Sequence, residues 1–386
     1  MTKKTSALHS EYIIDGIKMP LTPFSLIKEC YSSENKSTLN ETDYTPIVDE
    51  TIEYILQQGD YSSIDIKSVL KKSIAKIKEC NSTEISINHS HSATKRILAM
   101  HIIDSIWKEG IFNLDSLSLN INWLWNPYKI GNRAAFYFSV EACSQYLFDL
   151  GVTISNFSYE ETEGNCNISI TTSINNVEKY SNIYDEEEIE WDNNIYLKDK
   201  LHCPNRAINI KDSLFIYIPF DTCTPKLGDS ILEEISNNSS EKAPNITDTA
   251  YFIDSFEVVR ELVEDEIILA GRTVGKGGLI CALRLFTEGL GVDLDSSELL
   301  SSRTNCDITR ELFSEIPGVI FQIKDSDIDY LDSQLILQEI AYFQIGSINE
   351  NHTEIAIIEK RKSIITNILE SLLNEQTIEE EEHDLL

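Results

Sequence analysis

Four glycines, Gly271, Gly275, Gly277 and Gly278, punctuate the stretch ELVEDEIILAGRTVGKGGLICALRLFTEGLGVDLD at residues 261–295, and two cations, Arg272 and Lys276, sit among them. Glycines let a backbone turn tightly and come close to a partner. Where such a turn opens a helix, its N–H groups can meet a phosphate. The pattern is not a Walker A loop: three residues separate Gly271 from Gly275, and Gly277 replaces the Ser/Thr that would hold magnesium. A plain strand-to-helix turn fits the same residues. Arg272 and Lys276 would then either touch a phosphate without metal or pair with the surrounding acids. A second group is His89, His91 and His101. His-x-His can bind zinc, but a closed site needs four ligands, and no such spacing is visible, so polar loop residues are the simpler reading.

The elements that must position these groups are legible from periodicity. Residues 267–270 form a short apolar run that predicts a buried strand before the glycines, and residues 279–286 show helical spacing after them. Gly289 and Gly291 end that helix, and a strand follows at 292–294. Upstream, residues 92–109 predict a helix with Ser92 as N-cap, and residues 117–125 alternate as a strand. A helix over 135–150 and strands over 152–154 and 167–172 come next. Residues 212–220 predict a buried strand that opens a second domain, and 250–264 a helix. Further on, the pattern gives strands at 318–323 and 342–348 and helices at 325–337 and 355–373. Near the start, 12–17 suggest a strand, and 47–56 and 64–77 have helical spacing. The acidic run at 185–192 reads as a solvated insertion and 379–384 as a disordered tail.

Composition narrows the function. The chain has 386 residues, room for two or three domains. Asp and Glu number 64 against 32 Lys and Arg, a formal net charge of -32. Such a surface repels nucleic acid and anionic membrane, so neither is an expected partner. The N-terminus lacks a signal-peptide core, and no apolar run approaches the ~18 residues of a membrane span. A cytoplasmic location is therefore expected, with the eight scattered cysteines reduced.

Several motifs together resemble one family. Gly271-Arg272-Thr273-Val274-Gly275-Lys276-Gly277-Gly278-Leu279 keeps the glycines and leucine of Gly-His-Asp-x-Ser-Asp-Gly-Gly-Leu, without its histidine or acids. Asn122-Trp123-Leu124-Trp125, then Gly131 and Ala134-Ala135-Phe136-Tyr137, follows Gly-Asn-Trp-Met-Trp and Ala-Ala-x-Tyr at matching spacing. Leu227-Gly228-Asp229-Ser230 is similar to Leu-Gly-Gly-Ser, and Leu312-Phe313-Ser314-Glu315 with Gly318 to Leu-Phe-x-Glu-x-x-Gly. These are motifs of the second PurM-like unit of long-form formylglycinamide ribonucleotide amidotransferase (FGAM synthase), in the PurM-like ATP-binding superfamily.

The resemblance implies an α/β and α+β fold: a lead-in segment at 1–84, a PurM-like N-terminal domain at 85–211, a PurM-like C-terminal (AIR synthase-like) domain at 212–350, and a helix with acidic tail at 351–386. It implies an ATP cleft between the two domains, with Asn122, Gly228, Ser230, Arg272, Lys276, Gly277 and Gly278 as its cofactor-binding positions. Magnesium in that family needs carboxylates. Here the corresponding positions fall on His101, Ser105, Arg272, Thr273 and Lys276, with Asp104 about one residue off the correct face. The family's Gly-Gly-Lys-Asp-Ser loop aligns with Asn156-Phe157-Ser158-Tyr159-Glu160, where its lysine is a serine and its serine a glutamate. No catalytic and no metal residue is assigned, and no cofactor is expected. The implied function is a catalytically degenerate FGAM synthase-like scaffold or binding partner, associating with itself or with another PurM-like protein. The alternative is an ATP- and Mg-dependent, amidine-forming ligase lacking its own glutaminase, whose nucleophile motif is absent. A third reading is a metal-free sensor of a phosphorylated metabolite at the 271–278 turn.

Overall fold

A computed structural model of the chain describes residues 6–28, 30, 44–52, 61, 64–79, 83–108, 113–174, 203–236, 241–302 and 307–358. The chain begins with a hairpin, β1 (Tyr12–Ile14) and β2 (Ile17–Lys18), turned by Asp15 and Gly16 at φ 52° and 77°. Asp-Gly is the pair that tolerates positive φ at both central positions of a two-residue turn. A short helix, α1 (Pro23–Ile27), follows with Thr22 capping it. Next, β3 (Ile47–Asp49) pairs parallel with β1, which corrects the helix expected from 47. Residues 53–60 lie outside the described residues. The helix expected over 64–77 is α2 (Ile66–Glu79), and its Ile66, Val69, Leu70, Ile74 and Ile77 face one core.

Two layers follow. A central helix, α3 (Ser90–Lys108), precedes β4 (Leu117–Trp125), α4 (Asn132–Leu150), β5 (Thr153–Glu161) and β6 (Asn167–Ile174). The three strands form a sheet in the order β5-β4-β6. On β4, Leu117, Leu119, Ile121, Trp123 and Trp125 are buried, while Asn120, Asn122 and Leu124 lie half-buried on the other face. That alternation places the tryptophans against the helices. Asp49 of β3 caps α4: its carboxylate accepts the N–H groups of Gly131, Arg133 and Ala134 at 2.9–3.0 Å. A carboxylate there satisfies free donors and complements the helix dipole.

The second layer contains β7 (Ser213–Pro219), α5 (Ile231–Ser236), α6 (Thr249–Glu264), β8 (Ala270–Val274), α7 (Gly278–Phe286), β9 (Val292–Asp295), α8 (Ser297–Ser302), α9 (Ile308–Phe313), β10 (Gly318–Lys324), α10 (Ile328–Leu337), β11 (Phe343–Ile348) and β12 (Ile355–Ile358). Its six strands run in the order β12-β9-β11-β7-β10-β8. The strand expected at 267–270 is displaced: β8 starts at Ala270 and carries Gly271 to Val274 against β10. Ile267 and Ile268 instead donate their N–H groups to Leu262 O at the end of α6. The helix expected from 355 begins as a strand, β12, parallel to β9. Its Ile-Ala-Ile-Ile sequence suits a pleated edge next to β9 better than a helix start. Residues 359–386 and 185–192 lie outside the described residues.

The helix α3 joins the layers, packing on α4 and β6 to one side and on β8 and β10 to the other. It is therefore buried nearly all round, from Ala93 to Trp107, and not along one stripe. It starts at Ser90, so Ser92 lies inside its first turn and is not its cap. No helix among the described residues is long and apolar enough to cross a membrane.

Candidate functional site

Where α3 crosses β8 and the turn into α7, a cavity of about 600 Å³ opens. Met100, His101 and Asp104 line it from α3, and Arg272, Thr273 and Lys276 from β8 and the turn. The glycines shape this junction by admitting protein side chains. A Cβ at Gly271 would lie 2.3 Å from the Trp107 ring, at Gly275 2.4 Å from Met100 Sδ, and at Gly277 2.6 Å from Ile77 Cδ1. Gly277 and Gly278 also have φ of 84° and 71°, which only glycine adopts freely.

The amide of Gly277 donates to Glu315 Oε1 at 2.8 Å, and the same oxygen accepts the amide of Ile231 at 2.8 Å. The donors open α7 and α5. Glu315 is buried, and burial pushes its carboxyl above the usual range against the pull of Arg96, the two amides and Lys276. Arg96 is 4% exposed, pairs with Asp229, and keeps Nε and Nη1 without hydrogen-bond partners among the described residues. Glu315, Asp229, Ser230 and Lys276 line a second cavity, of about 640 Å³. Lys276 thus stands between the two cavities.

In the first cavity the polar groups are wired together. Trp107 Nε1 donates to Thr273 Oγ1 at 3.0 Å, that hydroxyl donates to Asp104 Oδ1, and Lys108 Nζ reaches Asp104 Oδ2 at 3.1 Å. Asp104 therefore does face the cleft, against the expectation from sequence spacing. Ser105 does not: it is buried, and its hydroxyl bonds back to Ile102 O. Burial pushes the His101 imidazole below its usual value, which favours its neutral form, with the Asp104 charge opposing the shift. Burial also lowers Arg272, with the Asp104 charge opposing the shift. The Arg272 side chain is half-buried and makes no hydrogen bond or close ion pair among the described residues, though the charges of Asp104, Arg206 and Glu288 act on it.

The sequence-derived positions separate into groups. Arg272 and Lys276 meet at the first cavity, with Gly277 and Gly278 in the turn beneath it. Ser230 lines the second cavity, and its hydroxyl bonds to Leu227 O. At Gly228 a Cβ would come within 2.1 Å of Glu241 O, so this glycine permits a backbone crossing. Asn122 lies on the open face of the β5-β4-β6 sheet, where its Oδ1 accepts the Ser158 hydroxyl at 2.9 Å. His89 and His91 line a third cavity, of about 630 Å³, apart from His101. Sequence reasoning missed the cleft contribution of Ile77 and the buried Arg96, neither of which carries a motif.

Magnesium demands several oxygen ligands, carboxylates among them. Asp104 is the one carboxylate among the described residues lining the first cavity, and it is already engaged by Lys108 and Thr273. Among the described residues no group of three or more His, Cys, Asp or Glu could hold a metal ion. The described residues lining this cavity do not fit a magnesium–nucleotide centre.

The layered sheets joined by α3 define a PurM-like fold. No family model matches the chain. Its sequence is similar to a probable phosphoribosylformylglycinamidine synthase of Arabidopsis thaliana, 21% identical over 275 residues, covering 69% of this chain and 18% of that one. Its fold is similar to PurL of Thermotoga maritima complexed with FGAR, with TM-score 0.55, 8% identity and coverage of 73% of this chain and 43% of that one. The same PurL complexed with ADP gives TM-score 0.51 at 10% identity, covering 73% and 41%. The chain is thus a PurM-like, FGAM synthase-like protein that spans under a fifth of the length of that plant relative, 18%.

Proposed function

We propose that this chain is a degenerate relative of one FGAM synthase unit, kept as a binding or scaffolding protein and no longer able to hold magnesium-bound ATP. The observation that carries the reading is the state of Asp104. The single carboxylate in the described cleft is neutralised by Lys108, occupied by the Thr273 hydroxyl and faced by Arg272. A metal there would have to displace a lysine and sit beside a guanidinium, both unfavourable by Coulomb's law. The resemblance of the glycine turn and of the Leu-Phe-x-Glu motif is then a resemblance of scaffold.

The partner is a second copy or another PurM-like chain. Support comes from the β5-β4-β6 sheet, which has no fourth strand among the described residues: residues 83–85 bond only to the start of β6, and Cys30 O accepts the Ile154 amide near the start of β5. Its open face carries Asn156, Glu160, Ser169 and Thr171, all exposed. An unpaired edge offers backbone donors and acceptors to another strand. Size-exclusion with light scattering tests the association: a defined dimer or a stable hetero-complex is expected, and a strict monomer with no recoverable PurM-like partner overturns it.

A further inference from the structure

The geometry points to a metal-free anion site in the first cavity, taking a small phosphomonoester with an apolar body. The inference rests on the proposed loss of the magnesium–ATP centre and names what the altered cleft binds instead. Arg272, Lys276 and Lys108 line this cavity, and Asp104 is the one acid lining it among the described residues, while Glu288 and Arg206 act on Arg272 from outside the lining. That is a cationic hollow in a chain of net charge -32. Arg272 is the centre of the case. Its guanidinium is half-buried, is disfavoured there by desolvation, and makes no hydrogen bond or close ion pair among the described residues. A buried charge needs a counter-charge, and the fork of a guanidinium matches two oxygens of a phosphate. Both acids that act on it are already engaged, Asp104 by Lys108 and Thr273 and Glu288 by Arg206.

The rest of the wall fixes the ligand's other half. Ile77, Ile97, Met100 and Leu285 give an apolar side, and about 600 Å³ exceeds what inorganic phosphate fills. His101 and Asn205 add polar groups without negative charge. A phosphomonoester carries nearly two charges at pH 7 and needs no metal to meet this lining.

The test is calorimetry on the full chain in EDTA at fixed ionic strength, with phenyl phosphate, inorganic phosphate and phenol as probes. Phenyl phosphate is expected to bind, more tightly than inorganic phosphate, with phenol silent. Arg272→Gln should weaken phenyl phosphate about ten-fold or more. Asp104→Asn should tighten it, a gain that general damage to the fold does not produce. Equal binding to the Arg272→Gln chain, or binding of phenol alone, overturns the inference. No binding of phenyl phosphate, with magnesium–ATP also silent, overturns it while leaving the proposed function standing. Binding that requires Mg²⁺ overturns both.

Discussion

Gly277 and Glu315 are joined by a 2.8 Å hydrogen bond, from the amide of the residue that caps α7 to a buried carboxylate 38 residues away. The Ile231 amide ends on the same oxygen, Oε1. Two helix starts are thereby pinned to one atom, and two separate sequence motifs prove to be halves of one contact.

The shared oxygen makes a sharp prediction. Glu315→Gln keeps an acceptor for both amides and should cost about 1–2 kcal/mol of stability. Glu315→Ala leaves both donors buried without a partner and should cost about 2–6 kcal/mol. Urea denaturation of the two variants checks this; equal losses would show that the oxygen is not what holds the turn.

Gly271 and Trp107 give a second. A Cβ at 271 meets the indole ring, so Gly271→Ala should destabilise by about 1–3 kcal/mol through overpacking. Because φ at this glycine is not positive, space alone is at issue. Trp107→Leu should then absorb much of that cost, giving a non-additive double-mutant cycle. Additive losses would contradict the contact.

Much of the architecture is legible in the sequence, because strong alternation at 117–125 and strong helical spacing at 135–150 and 250–264 are decided locally. The failures have physical causes. The apolar run 267–270 looks like the strand, yet the pairing that forms is set by β10, and Glu266 at φ 59° ends α6 just ahead of it. Short runs such as 47–49 and 355–358 satisfy both periodicities, and sheet neighbours decide them. Counting back to Asp104 through a loop puts it about one residue off the cleft face, because each residue miscounted in a loop costs about 100° of helical phase. The glycine turn was legible as a turn, but not what fills it: Ile77 and Met100 come from distant elements.

His101 supplies a pH prediction. Burial holds its folded pKa below the unfolded value near 6.5. The unfolded chain then binds a proton the folded chain does not, so the stability this group contributes is full above pH 6.5 and is lost as pH falls below it. The Asp104 charge opposes the shift and Lys108 adds to it. The urea midpoint should drop between pH 7.5 and 5.5, and His101→Gln should make that drop smaller. A drop unchanged by the substitution would remove His101 from the account.

The central claim is that the cleft has kept its scaffold and lost its metal. The direct measurement is calorimetric titration of the full chain with ATP, once in EDTA and once in saturating Mg²⁺. The account predicts that magnesium brings no gain in affinity. Nucleotide binding that appears or strengthens markedly only with Mg²⁺ would contradict it.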